Sequence, residues 1–217
     1  MKRITDSITD CEYHNIHKIL PSDIDKVYVV KQIEKIIEKR IADYKPIDAK
    51  PNLINVSGIP GSGKTYYCEK VLLKQKQFRD FIYIAFDDIM EDVDLPYHSE
   101  KLEKGTEYAF ARWELPARIV GYELLRRAVE KRISVVFEHS SSISEHILLF
   151  QFLKEIESYR VGFHYLDISI EEAIERTKKR QRFVPEDYFK ARKWKLDLIL
   201  PVYKNICAPF KEIHHQH

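Results

Sequence analysis

The sequence lacks the marks of a secreted, membrane-embedded or strongly basic protein. Its 217 residues include only three cysteines, Cys11, Cys68 and Cys207, odd in number and too scattered for a paired metal-ligand motif. That usage suits reduced thiols in a reducing cytosol better than a disulfide framework. No stretch approaches the roughly 18 apolar residues that a spanning helix needs. The basic start Met1-Lys2-Arg3 leads into no apolar run, so no secretory signal is expected. Neither sign of charge dominates: 36 Lys plus Arg face 34 Asp plus Glu, for a formal charge of +2. Nothing in that balance draws the chain toward nucleic acid or a membrane surface. A soluble, cytoplasmic protein is expected, without membrane or nucleic-acid partners. Internal repeats and low-complexity tracts are also missing.

What is present is enough for a core. Hydrophobic residues make up 44% and charged residues 32%, which suits a globular domain with a short appendage. The appendage is an N-terminal helical segment, 1–51. Within it, Val29, Val30, Ile33, Ile36, Ile37 and Ile41 recur at helical spacing over 28–44 and form a packing face, before Pro46 and Pro51 stop the helix. The remainder, 52–217, alternates short β-rich runs with helical ones. Strands are expected at 53–56, 81–86, 133–137, 161–166 and 210–214. Helices are expected at 65–75, 107–131 with a break at Pro116, 144–159 and 170–180. That alternation implies an α/β fold of the P-loop kind, with a mainly parallel sheet and helices on both faces. In such sheets ligands gather at the carboxyl ends of the strands. Trp113 and Trp194 read as core or interface anchors, and His214, His215 and His217 as a frayed tail.

Glycine is scarce, six in all, yet three fall in Gly58-Ile59-Pro60-Gly61-Ser62-Gly63-Lys64-Thr65. This stretch fits the G-x-x-x-x-G-K-[ST] phosphate-binding pattern, follows an apolar strand and opens a helix. A random chain of this length would show the pattern with a probability on the order of one in a hundred. Gly58, Gly61 and Gly63 let the backbone curl so that its amides, with those of Pro60's neighbours and Ser62, face phosphate oxygens. The helix start adds its positive dipole end. Lys64 is expected to reach the β- and γ-phosphates of ATP, and the Thr65 hydroxyl to bind Mg²⁺.

A kinase also needs groups that handle the acceptor and the moving charge. Asp87-Asp88, at the end of the second strand, offers a carboxylate to take the acceptor's proton; a helix N-cap or a ligand of Mg²⁺ or its water (assigned to Asp87) is the alternative. Glu138, directly after Val135-Val136-Phe137, stands where many P-loop proteins carry a metal-ordering or acceptor-binding carboxylate. The cationic run Arg176, Lys178, Lys179, Arg180 and Arg182 before Pro185 reads as a lid that stabilises transferring phosphate charge, against a merely solvated face.

Taken in order, the P-loop, Phe86-Asp87-Asp88, Val136-Phe137-Glu138-His139-Ser140-Ser141 and Arg180-Gln181-Arg182-Phe183-Val184-Pro185-Glu186 resemble the zeta toxin kinases over roughly residues 53–214. The resemblance implies ATP-dependent transfer of the γ-phosphate to a small-molecule hydroxyl, in that family a UDP-activated amino sugar, and an antitoxin-like protein partner. It implies Asp88 as the catalytic aspartate, with Asp87 one place off, Glu138 as the family glutamate, Arg176 and Arg182 as the lid arginines with Arg180 competing, and His98 in the acceptor region. Two features depart from the family: His139-Ser140 replaces Gly-Thr after the glutamate, and 92–104 has its own sequence. Two alternatives remain open: an RNA or polynucleotide kinase, and a nucleotide-gated protein-binding module.

Overall fold

The computed structural model describes residues 26–47, 49–92, 94–179 and 184–214. Cys11, Arg180, Arg182, His215 and His217 therefore lie outside the described residues. The elements run α1 (Lys26–Ile41), β1 (Asn52–Ser57), α2 (Lys64–Tyr66), β2 (Ile82–Ala85), α3 (Phe86–Met90), α4 (Tyr97–Lys104) and α5 (Thr106–Glu130). They continue with β3 (Val135–Glu138), α6 (Glu145–Glu155), β4 (Arg160–Asp167), α7 (Ile170–Lys179), α8 (Glu186–Ile206) and β5 (Phe210–His214). The chain divides into two compact units, Met1–Pro46 with Ile84–Ile133, and Ile47–Tyr83 with Ser134–His217. The division runs through β2 and ends just before β3.

The fold is α/β, of the P-loop kinase kind. Its sheet has five strands in the order β2-β3-β1-β4-β5, and β1 pairs in parallel with β3 and β4, as β4 does with β5. In the register, Val56 sits opposite Glu138 on one side and His164 on the other. Such a central strand is covered on both faces, which explains why β1 is almost wholly buried. One face, with Ile54, Val56, Val136 and Leu166, packs on Cys68, Leu72, Phe78 and Phe81. The other face is aromatic. Phe163 stacks on Tyr203 at 4.4 Å and on Phe210 at 5.5 Å, and Phe150 closes the group.

The other unit is helical. Ile33, Ile36 and Ile37 of α1 are fully buried, as their spacing predicts, and Arg127 of α5 donates to Glu34 at 2.8 Å. Gly121 lets α3 approach α5: a Cβ there would stand 2.3 Å from Cε1 of Phe86. The Phe86 ring in turn packs edge-on against Tyr122 at 5.1 Å.

Several expectations need correction. Pro116 lies inside α5 and does not break it. A proline removes one backbone bond and crowds the preceding turn at about 3 kcal/mol, yet Trp113, Ala117, Val120 and Leu124 are all buried along the same helix. That burial outweighs the loss. The helix expected over 65–75 is a short α-helical turn followed by a π-helical stretch, Tyr67–Leu72. α4 and the long α8 were not foreseen; α8 buries Phe189, Leu196, Leu200 and Tyr203 at helical spacing, but Pro201 and the exposed apolar residues Trp194, Leu198 and Val202 blur that stripe in the sequence. Trp113 is buried, as expected, but Trp194 is 63% exposed and is no core residue. His214 is not frayed: it belongs to β5, with Nδ1 3.8 Å from Asp167.

Candidate active site

The strand-loop-helix that forms the P-loop follows from local chemistry. β1 delivers the chain into the loop, and Gly58, Gly61 and Gly63 take positive φ values of 154°, 79° and 83°. At Gly61 the requirement is also one of space. A Cβ there would lie 2.5 Å from the carbonyl oxygen of Ala173 and 2.8 Å from Oγ1 of Thr177. Both belong to α7, so this helix sits directly on the loop. Thr177, itself buried, is held by its hydroxyl donating to the Ala173 carbonyl at 2.7 Å. At Gly58 a Cβ would meet Oγ of Ser62 and, 2.8 Å away, the carbonyl of Leu166 at the end of β4.

Three side chains converge on the start of α2. Nζ of Lys64 donates to the carbonyls of Gly58 at 3.0 Å and Ile59 at 3.1 Å, which holds the ammonium over its own loop. The Thr65 hydroxyl donates to Oε1 of Glu138 at 3.0 Å. The other oxygen, Oε2, accepts from the Tyr83 hydroxyl. Glu138 is placed by β3, whose register puts it opposite Val56, and the following amide of His139 donates to the Val56 carbonyl at 3.2 Å. Ser57 Oγ then donates to the Ser140 carbonyl at 2.5 Å, pinning the loop after Glu138 to the end of β1. Glu138 is thus not a loose solvated carboxylate.

Further along that loop, the amide of Ser141 donates to Nδ1 of His139 at 2.9 Å, so this ring nitrogen carries no proton. The His139 ring lies parallel to Phe137, 5.5 Å away. His146 is fully buried beside them with Nδ1 2.9 Å from Ser141 Oγ. Burial, aided by Arg192, pushes its pKa down to about 3, so the ring is neutral. Arg192 of α8 donates to Ser142 at 2.6 Å.

Arg176 lies on α7, one residue from Thr177, on the helix that covers the P-loop, and it pairs with Glu172 one turn back. Beyond Leu166, a cavity of about 370 Å³ opens, lined by Asp167, Ser169, Glu172, Lys193 and His214. Nζ of Lys193 donates to Asp167 and to the Tyr165 hydroxyl, both at 2.9 Å. Burial works against the Asp167 charge, but Lys193 outweighs it and holds the carboxyl below its usual pKa.

Asp87 and Asp88 belong to the other unit, in the first turn of α3, and both are exposed. Asp88 takes a hydrogen bond at 2.6 Å from Arg40 of α1. His98 is exposed on α4 and lines a cavity of about 460 Å³ with Tyr28, Glu91, Asp94, Leu95, Pro96 and Ser99. Among the described residues the arrangement therefore joins the P-loop, Thr65, Glu138 and the helix of Arg176 in one unit. It places Asp87, Asp88 and His98 in the other.

Sequence reasoning missed Tyr83, Thr177, Arg192 and Arg40. A tyrosine between Ile82 and Ile84 in an otherwise apolar strand was a usable signal for the first. Nothing local marks the other three. A Mg²⁺ ion fits the donor set at the start of α2, a hydroxyl and a carboxylate 3.0 Å apart, because this ion favours oxygen ligands and shares them with phosphate. No group of three or more His, Cys, Asp or Glu forms a dedicated metal cage among the described residues. Nor is any described helix long and apolar enough to cross a membrane.

Comparisons with known proteins bear on this arrangement. A family model described as Zeta toxin matches residues 36–217. A comparison with curated proteins found no match. Among solved structures, one from the PezAT chromosomal toxin-antitoxin system of Streptococcus pneumoniae superposes with a TM-score of 0.66 at 14% identity, covering 89% of this chain and 80% of that one. Another, AvrRxo1-ORF1:-ORF2 with ATP, gives a TM-score of 0.59 at 14% identity and covers 91% of this chain and 70% of that one. At such identities the likeness is one of fold.

Proposed function

The chain belongs to the zeta toxin family, and from that premise we propose that it is an ATP-dependent kinase acting on a small-molecule hydroxyl. The observation that carries this reading is the Thr65–Glu138–Tyr83 chain of hydrogen bonds at the mouth of a P-loop covered by α7. A glycine turn alone binds phosphate; a fixed carboxylate beside the metal-binding hydroxyl serves phosphoryl transfer.

In this reading the loop amides of 58–65 hold the β- and γ-phosphates, and Lys64 exchanges its two carbonyl partners for phosphate oxygens. Thr65 and Glu138 hold Mg²⁺, which when bound neutralises phosphate charge. Arg176 stabilises the equatorial oxygens of the moving phosphoryl group, with Arg182 as its lid partner. The Asp88 carboxylate accepts the proton of the acceptor hydroxyl while that oxygen bonds to the γ-phosphorus. The bond from the γ-phosphorus to the bridging oxygen breaks at the same time and leaves ADP. Asp87, next in the same turn, is assigned to ordering metal-bound water. The acceptor proposed from the family is a UDP-activated amino sugar. The PezAT relative comes from a toxin-antitoxin system, and an antitoxin-like protein that covers the nucleotide cleft is the partner proposed here.

The test is direct. Purified protein, γ-labelled ATP, Mg²⁺ and an extract of small polar metabolites should yield one labelled product. Asp88→Asn should still bind ATP and lose transfer; a fully active Asp88→Asn enzyme removes that residue from its role.

A further inference from the structure

We propose that Arg40 is a positioning residue for phosphoryl transfer, holding the Asp88 carboxylate in one orientation. The inference rests on the reading of Asp88 as the acceptor base. Asp88 sits on α3, a helix of five residues (Phe86–Met90), with its side chain 44% exposed. A short exposed carboxylate on one helical turn has several rotamers and nothing of its own to select one. Arg40 supplies the selection. Its Nη1 donates to Asp88 Oδ2 at 2.6 Å, and its Nη2 donates to the Asp88 carbonyl at 3.3 Å and to Asp92 Oδ2 at 3.1 Å.

The geometry leaves the base usable. Only Oδ2 is taken, and Oδ1 has no hydrogen-bond partner among the described residues. The guanidinium also shares its charge with Asp92, whose side chain is only 8% exposed, so Asp88 is oriented without facing an undivided cation. A lysine at the same place offers a point charge and cannot bridge two carboxylates and a carbonyl in one plane. Lys35 and Lys39 on the same face of α1 extend the contact, the first to Asp94 at 2.6 Å and the second to Asp92 and Asp94 at 3.9 Å. The N-terminal helix is thereby coupled to the acceptor carboxylate 48 residues away in sequence, a role distinct from simple packing.

The experiment compares Arg40→Gln, Arg40→Lys, Asp88→Asn and Glu34→Gln with the parent chain, using labelled ATP and the polar metabolite extract as acceptor pool. Glu34→Gln is the packing control, because it cuts the tie from the same helix to Arg127 and leaves Asp88 alone. Arg40→Gln is expected to lower the maximal transfer rate by about 10- to 100-fold, the cost of a misplaced catalytic group, with the KM for ATP unchanged. Arg40→Lys should recover only part of that rate, and Glu34→Gln should transfer like the parent. A parental rate in Arg40→Gln beside an inactive Asp88→Asn overturns this inference and leaves the kinase reading standing. An equal loss in Glu34→Gln overturns it too, by reducing Arg40 to a packing role. Full activity in Asp88→Asn, or no labelled product from the parent, overturns the underlying reading itself.

Discussion

Replacing Gly121 by alanine sets two effects of opposite sign against each other. In the interior of α5 a glycine costs about 1 kcal/mol relative to alanine, so on propensity alone the substitution stabilises. The packing says otherwise. The new Cβ would stand 2.3 Å from Cε1 and 2.4 Å from Cδ1 of Phe86, and 3.4 Å from Cδ1 of Ile89. The ring cannot swing away freely, since its edge contact with Tyr122 holds it. Overpacking of this kind costs roughly 1–3 kcal/mol, and the broken aromatic pair adds about 0.5–1.5 kcal/mol. The net expectation is a loss of about 2 kcal/mol. Denaturant unfolding followed by fluorescence of Trp113, buried on the same helix, reads it in the right unit. Because Phe86 begins the turn that carries Asp87 and Asp88, transfer activity should fall as well. Phe86→Leu should suppress the clash: in that background Gly121→Ala should become neutral or stabilising. If Gly121→Ala alone proves more stable than the parent, the close approach of α3 to α5 is wrong.

Three further outcomes are expected. Thr65→Val and Glu138→Gln should each bind ATP in EDTA as the parent does, yet lose most of the gain in affinity that Mg²⁺ gives, as measured by calorimetry; an undiminished gain refutes the metal assignment. The buried His146 has its pKa lowered from 6.5 to about 3. The unfolded chain therefore binds a proton that the folded one refuses, and stability falls as pH drops below 6.5, by about 2 kcal/mol at pH 5. His146→Gln should flatten that slope in pH-dependent unfolding, and an unchanged slope assigns it elsewhere. Cys68 and Cys207 are both buried, and burial first of all raises their thiol pKa values, that of Cys207 to about 12. Iodoacetamide at pH 8 should leave both unmodified in the native protein and alkylate both in denaturant, as read by peptide mass.

How much was legible in the residues themselves depends on the range of the interaction. The P-loop, strands β1 to β4 and the helix from 170 were readable because glycine geometry, apolar runs and helical periodicity are local properties, each written in consecutive residues. β5, an edge strand with no buried residue, was readable only as a short run at 210–214. Glu138 was readable as a strand-end carboxylate, but its hydrogen bonds with Thr65 and Tyr83 were not, since Thr65 lies 73 residues away and Tyr83 lies 55 away. That Gly61 is required by the passage of Ala173 and Thr177, and not by its backbone angle alone, is likewise a fact of packing. Pro116 and Gly121 show the converse: local rules assign them a break and a weak point, and burial along α5 reverses the first while Phe86 explains the second. The sequence by itself determined the nucleotide chemistry, because a phosphate cradle is built from neighbouring amides. Only the tertiary structure decided which side chains hold Glu138 and Asp88, because hydrogen-bond partners across a core are selected by register and helix packing, which no short stretch of chain encodes.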